Sequence, residues 1–230
     1  MTASAEAVRS ALDAVRARID AAARRAGRDP ATVALLAVSK THGPEAVRAA
    51  YARGQRDFGE NYVQELVPKA AALADLTELR WHFIGHLQTN KCRDVAGLVA
   101  TVQSVDSERL VRELGRRATA AGRTVGILVQ VNVAREAQKS GCEVEALPAI
   151  LAAALETPGV ALRGLMTVPP AADDAGESRR WFDALRALRD EHGGAALLPE
   201  LSMGMTHDMD EAIAAGATVV RVGTAIFGAR

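Results

Sequence analysis

The stretch VALLAVSKTHGPEAV, Val33 to Val47, reads as a strand, a loop and the start of a helix. Six of the seven residues before Ser39 are apolar, a density expected of a strand buried on both faces rather than one with a wet side. Pro44 closes the run off from further extension. Lys40 stands at the tip of the strand. Partial desolvation there penalises the charged form and favours a free, nucleophilic amine; the alternative is a side chain that snorkels into water.

Outward from this stretch the same unit repeats. TVALLAVS precedes the helical PEAVRAAYARG, RDFGE precedes NYVQELVPKAAALAD, LRWHFIG precedes LQTNKCRDVAG, and LVATVQSVDS runs into SERLVRELGRRATAAG. The second half continues with TVGILVQVNV before EVEALPAILAAALE, VALRGLMTV before SRRWFDALRALRDEHG, LPELSMGM before HDMDEAIAAG, and ATVVRVG before TAIFGAR. Strands alternating with helices predict βαβ units and a parallel sheet. Eight such units, unbroken by any Pro/Gly/Ser-rich linker, predict an α/β fold. It is a single (β/α)8 TIM-type barrel, one domain over residues 1–230, with an additional N-terminal helix over residues 1–28 packed on it. A doubly wound open sheet is the alternative. It would carry a Gly-rich fingerprint after its first strand, whereas SKTHGP has neither GxGxxG nor GxxxxGK[ST].

Composition narrows the function classes. Hydrophobic residues make up 49% of the chain and aromatics only 3%, so the core must be built from Ala, Val, Leu and Ile. Lys plus Arg and Asp plus Glu both number 28, which removes the electrostatic case for nucleic acid or an anionic membrane. Cys92 and Cys142 lie far apart without a second Cys or His at metal-ligand spacing, so no metal is expected. The start of the chain repeats Arg and Asp without the apolar core of a signal peptide, and nowhere are 18 apolar residues consecutive. A cytoplasmic protein with no membrane span is expected.

A second chemical signal lies in ATVVRVGTAIFGAR. Val219, Val220 and Val222 form a strand, and Gly223 with Thr224 opens a short helix whose backbone N–H groups make a phosphate cup; a plain strand-to-helix turn is the alternative. Arg221 alternates with Val220 and Val222, so it faces the opposite side of the sheet, where it must pair with a carboxylate or face a ligand. In LSMGMTHDMDEAI, Ser202, Met203, Gly204 and Met205 form a compact loop that lets a flat ligand approach the backbone; taken alone, Met203 and Met205 read as core gap-fillers. A strand-end lysine, an inward arginine and a Gly/Thr cup are the parts needed to hold an aldehyde phosphate. His82 in WHFIG reads either as a polar group at the barrel mouth or as a hydrogen-bonded strand residue.

The segments LLAVSKTH, FGENYVQEL, WHFIGHLQTNK, QKSGC, GLMTVPP, LSMGMTHDMDEAI and VRVGTAIFG run in this order over nearly the whole chain after the first helix. Together they resemble the pyridoxal phosphate homeostasis protein family, single-domain relatives of the alanine racemase barrel. The resemblance implies Lys40 in imine linkage to pyridoxal 5'-phosphate (PLP), Ser202, Gly223 and Thr224 at the phosphate with Met203 and Gly204 in the same loop, Arg221 facing the pyridine nitrogen, and Asn61 near the cofactor. It makes Lys139 in QKSG a second candidate for reaction with the cofactor. His42 departs from the pattern, since many members carry a second lysine there.

The implied role is a carrier, not an enzyme. It holds PLP reversibly, buffers it and delivers it to PLP-dependent apo-enzymes, and it is expected to act as a monomer. A guanidinium can only donate, so Arg221 favours an unprotonated pyridine nitrogen and weakens the ring as an electron sink. The racemases of this fold also use a tyrosine from a second domain, and the only tyrosines here are Tyr51 and Tyr62. A lysine-imine enzyme, either a slow amino-acid racemase or a class I aldolase, is the alternative.

Overall fold

A computed structural model describes residues 4–136, 140–170 and 175–228. Eight strands pair in parallel and in chain order into a closed barrel: β1 Ala34–Val38, β2 Asp57–Glu60, β3 Arg80–Phe83, β4 Thr101–Val105, β5 Val125–Gln130, β6 Val160–Met166, β7 Glu200–Ser202 and β8 Val219–Val222. Pairing of Leu36 with Arg221 and Ala37 with Val222 closes the ring between β1 and β8, which excludes the open doubly wound sheet. All eight expected strands are present.

Helices fill the connections. Before the barrel lies α1 Ala5–Arg25, followed after successive strands by α2 Pro44–Ala52, α3 Val63–Ala72, α4 Cys92–Val95, α5 Glu108–Ala120 and α6 Leu147–Glu156. Then come α7 Ala175–Glu191, α8 Gly194–Leu197, α9 Met209–Ala215 and α10 Thr224–Phe227. Where LQTNKCRDVAG reads as one helix, the chain forms a 3-10 turn, Thr89–Lys91, before the short α4.

The N-terminal helix follows from its pattern. Val8, Leu12, Val15, Ile19, Ala22 and Ala23 recur at helical spacing and are all buried, and the Ser4 hydroxyl caps the first turn by accepting from the Ala7 N–H at 3.2 Å. This stripe packs on α2, α9 and α10. Arg28, just past the helix, donates to the carbonyls of Ile213 at 2.7 Å and Ala217 at 2.8 Å, tying α1 to the turn before β8. The core is the aliphatic one that the composition requires, with Phe58, Phe83, Phe182 and Phe227 as its fully buried aromatics. No helix among the described residues is long and apolar enough to cross a membrane.

Candidate functional site

Two cavities mark the two ends of the barrel. One, of about 420 Å³, opens at the amino ends of the strands, with Asp57, Arg80, His82, Arg163 and Glu200 in its wall. Its charges are satisfied among themselves, Arg80 with Asp57 at 2.6 Å and Arg163 with Glu200 at 2.7 Å. The other, of about 320 Å³, opens at the carboxyl ends and is lined by Lys40, His42, Asn61, Arg221, Gly223 and Thr224 among others. Barrels of this type carry their chemistry at the carboxyl ends, so the smaller cavity is the candidate site. Among the described residues no cluster of His, Cys, Asp and Glu is arranged to hold a metal.

The segment carrying Lys40 is held on both sides. The Ser39 N–H donates to the Gly59 carbonyl at 3.0 Å, and the Ser39 hydroxyl donates to Glu60 Oε1 at 2.7 Å. Lys69, from α3, reaches back with Nζ to donate to Glu60 Oε1 at 2.6 Å and to the Ser39 carbonyl at 2.9 Å. Beyond Lys40, Thr41 has φ +67°, the left-handed region that a β-branched residue rarely enters, and its N–H donates to Glu65 Oε2 at 2.6 Å. The chain therefore makes a sharp, over-determined turn that leaves Lys40 half-buried, with its side chain on the cavity. Glu60 is fully buried. Desolvation raises its pKa, while Lys69 and Ser39 act in the opposite direction, and its Oε2 has no hydrogen-bond partner.

Asn61 also lines the cavity, and its Oδ1 is buried without a donor. A glycine at position 85 allows this placement, because a Cβ there would lie 2.0 Å from the Asn61 carbonyl oxygen. Across the cavity, Gly223 and the exposed Thr224 open α10, where the first N–H groups of a helix lack intrahelical acceptors. The His42 ring lies against Phe227, centroids 5.4 Å apart.

Arg221 is buried, as its place on β8 predicts, but among the described residues it forms no ion pair with a carboxylate. Its Nη1 donates to Ser202 Oγ at 2.8 Å and its Nη2 to the Thr167 carbonyl at 2.8 Å. Burial pulls its pKa down to about 10, against the attraction of Asp208, so it stays protonated at neutral pH.

The structure brings together Lys40, Asn61, Arg221, Gly223 and Thr224 on one cavity. Ser202, Met203 and Gly204 are not in its wall. Ser202 lies behind Arg221 with its hydroxyl donated to Gln103 Oε1 at 2.6 Å, and Met203 is fully buried in the core. Gly204, buried at φ +90°, receives the Arg221 N–H on its carbonyl at 3.0 Å. Met205 is the member of that loop that reaches the cavity. His82 is not at the barrel mouth: its Nε2 bonds Asp57 Oδ1 at 3.0 Å, at the opposite end. Lys139 lies outside the described residues. Sequence reasoning missed Glu60 and Lys69; the available signal for Glu60 was a charge ending a short strand, while Lys69, inside α3, offered none.

Comparison with known proteins places the chain in a family. The family model described as "Alanine racemase, N-terminal domain" matches residues 10–230. A pyridoxal phosphate homeostasis protein of Pseudomonas aeruginosa is 50% identical over 217 residues, 94% of this chain and 93% of the relative. One from Aquifex aeolicus is 44% identical over 221 residues, covering 95% and 96%. Among solved structures, PipY of Synechococcus elongatus with PLP bound superposes with a TM-score of 0.84 at 38% identity, covering 96% of this chain and 100% of that one.

Proposed function

This chain belongs to the pyridoxal phosphate homeostasis proteins, within the family of the alanine racemase N-terminal domain, and from that premise we propose that it binds PLP reversibly on Lys40 and serves to buffer and deliver the cofactor. The observation that carries the reading is the convergence of Lys40, Asn61, Arg221 and the Gly223–Thr224 turn on one cavity at the carboxyl ends of the strands. Those residues fit the group: an amine for the aldehyde, a helix start for the phosphate, a buried donor for the ring nitrogen, and in Asn61 Oδ1 an acceptor that lacks a donor. Lys40 would hold PLP by taking up its aldehyde as an imine, with release of one water, a linkage that hydrolysis would reverse.

The protein's own residues then set what the site does. Glu60, Lys69 and Glu65 hold the Ser39–Thr41 turn and with it the starting point of the Lys40 side chain. Arg221 has only donors to offer, so facing the ring nitrogen it would favour the unprotonated form and withhold the electron sink that racemisation needs. We read the chain as one domain over residues 1–230, acting as a cytoplasmic monomer with no efficient racemase activity and with PLP-dependent apo-enzymes as recipients. Balanced charge supports this reading by giving no attraction to nucleic acid.

The test is a visible absorption spectrum of the purified protein with PLP, before and after borohydride, followed by mapping of the reduced peptide. Modification at Lys40, lost in Lys40→Ala, is expected. Absence of an imine band, or labelling confined to another lysine, overturns the assignment. Transfer of PLP to an apo-enzyme, measured beside alanine racemisation, separates carrier from enzyme: turnover of alanine at about 1 s⁻¹ or faster, within the ordinary range for enzymes, refutes the carrier reading.

A further inference from the structure

A line of hydrogen bonds crosses the barrel interior from Arg221 to the opposite end. Arg221 Nη1 meets Ser202 Oγ at 2.8 Å, Ser202 Oγ meets Gln103 Oε1 at 2.6 Å, Gln103 Nε2 meets His82 Nδ1 at 3.3 Å, and His82 Nε2 meets Asp57 Oδ1 at 3.0 Å. Arg80 fixes Asp57 from outside with bonds of 2.7 and 2.6 Å. Gln103 on β4 and Ser202 on β7 are not on neighbouring strands, so their bond spans the lumen. Both side chains are fully buried.

The two ends of this line have fixed roles. A guanidinium only donates, and the Asp57 carboxylate, held ionised by Arg80 and His82, only accepts. Three groups between them can do either, and one direction satisfies all four contacts: Arg221 donates to Ser202, Ser202 to Gln103, Gln103 to His82, and His82 to Asp57. That direction requires a neutral His82 with its proton on Nε2. With a proton on Nδ1 as well, the Gln103 amide would have to turn over. Ser202 would then accept from both Gln103 and Arg221, and its own hydroxyl proton would be buried without an acceptor, at a cost of a typical desolvated donor.

We infer that Gln103, with His82 and Asp57 behind it, is a positioning group for Arg221: by taking the Ser202 proton it turns the Ser202 oxygen toward the guanidinium and fixes the plane that Arg221 presents to the cavity. Gln103 is not itself a residue of the cavity wall. The inference rests on the preceding reading for its effect on cofactor, and not for the state of His82.

Two measurements on the full-length protein test it. In ¹⁵N-labelled wild-type protein near pH 7.5, the side-chain nitrogen shifts of His82, assigned by loss of the signal in His82→Asn, are expected to show a neutral ring protonated on Nε2, with or without PLP. A ring protonated on Nδ1, alone or together with Nε2, overturns the relay. For cofactor, the Kd for PLP is expected to rise about tenfold or more in Gln103→Leu, the scale of one lost contact to a charged group, with the imine band still forming at saturating PLP. In Gln103→Glu, where a carboxylate still accepts from Ser202, the Kd is expected within about threefold of wild type. A wild-type Kd in Gln103→Leu refutes the positioning role. So does equal weakening in the leucine and glutamate variants, which marks a packing effect. If wild-type protein binds no PLP, the cofactor reading fails, and the His82 spectrum alone judges the relay. If Gln103→Leu does not fold, Gln103→Glu and the His82 spectrum decide.

Discussion

Replacing Lys69 by methionine keeps most of the length of the side chain and removes its charge, leaving the Glu60 carboxyl in a fully buried position with Ser39 Oγ as its remaining donor. Lys69 is itself only 6% exposed and sits 2.6 Å from Glu60 Oε1, so solvent screens little of the interaction. Removing one partner of such a buried pair costs about 3–5 kcal/mol, and here the Ser39 carbonyl loses its donor as well. The loss should depend on pH. The Glu60 carboxyl has a folded pKa above its ordinary value of 4.5 even with Lys69 in place, and higher still without it. An acid of that kind binds protons more tightly when folded, so stability is present in full below the unfolded pKa and falls as pH rises toward the folded one, by about 1.4 kcal/mol per unit. Urea denaturation of Lys69→Met is therefore expected to show a smaller loss at pH 5 than at pH 8, because the raised pKa favours protonation of Glu60 as the pH falls and a protonated Glu60 leaves mainly the missing hydrogen bond, about 1–3 kcal/mol. The double variant Glu60→Gln, Lys69→Met should recover most of the difference at pH 8. A loss at pH 8 below about 1 kcal/mol, or an equal loss at both pH values, refutes the view that these two charges hold the Lys40 turn.

Further outcomes follow from the same geometry. On the proposed reading Arg221→Ala is expected to form the imine but to lose PLP during gel filtration, because the proposed ring contact would be removed and the proposed covalent bond kept; unchanged retention would make Arg221 a structural donor to Ser202 and Thr167 alone. Gly204→Ala places a side chain at φ +90° with its Cβ 2.4 Å from that of Ala212. The backbone strain costs about 1–3 kcal/mol, read as a fall in Tm of about 2–12 °C for a chain of this size, and an unchanged Tm would contradict the left-handed turn. Burial, chiefly, pushes the thiols of Cys92 and Cys142 up to about 12. Ellman's reagent at pH 8 should therefore leave both intact in the folded protein and label both in guanidinium; rapid labelling of native protein would contradict their burial.

The barrel is legible in the chain because each strand announces itself locally. VALLAV, GILVQV and ATVVRV are apolar runs too short for helices, cut by Gly, Pro or a capping polar residue, and eight of them alternating with amphipathic helices have few other ways to bury both faces. Lys40 and Arg221 are legible for the same reason. One stands where an apolar run stops, and the other breaks a valine alternation, so strand geometry alone assigns each a place. What pairs with what is a different matter. Gln103 and Ser202 are 99 residues apart and meet only because closure carries β4 across the lumen from β7. The register of β4 also shifts between Val102 and Val105, so simple alternation does not assign Gln103 its side. Period-two alternation says which face a side chain takes but not toward which end of the barrel it leans, and this is why His82 lies with Asp57 at the amino end rather than at the mouth. Nothing in the local sequence marks Glu60 and Lys69 as a pair, and Ser202 stands at the phosphate only through the resemblance, with no local sign of its bonds to Gln103 and Arg221. Each was assigned its partner only when tertiary packing removed water and left a buried charge or hydroxyl to be satisfied by whichever group the closed barrel brought within reach.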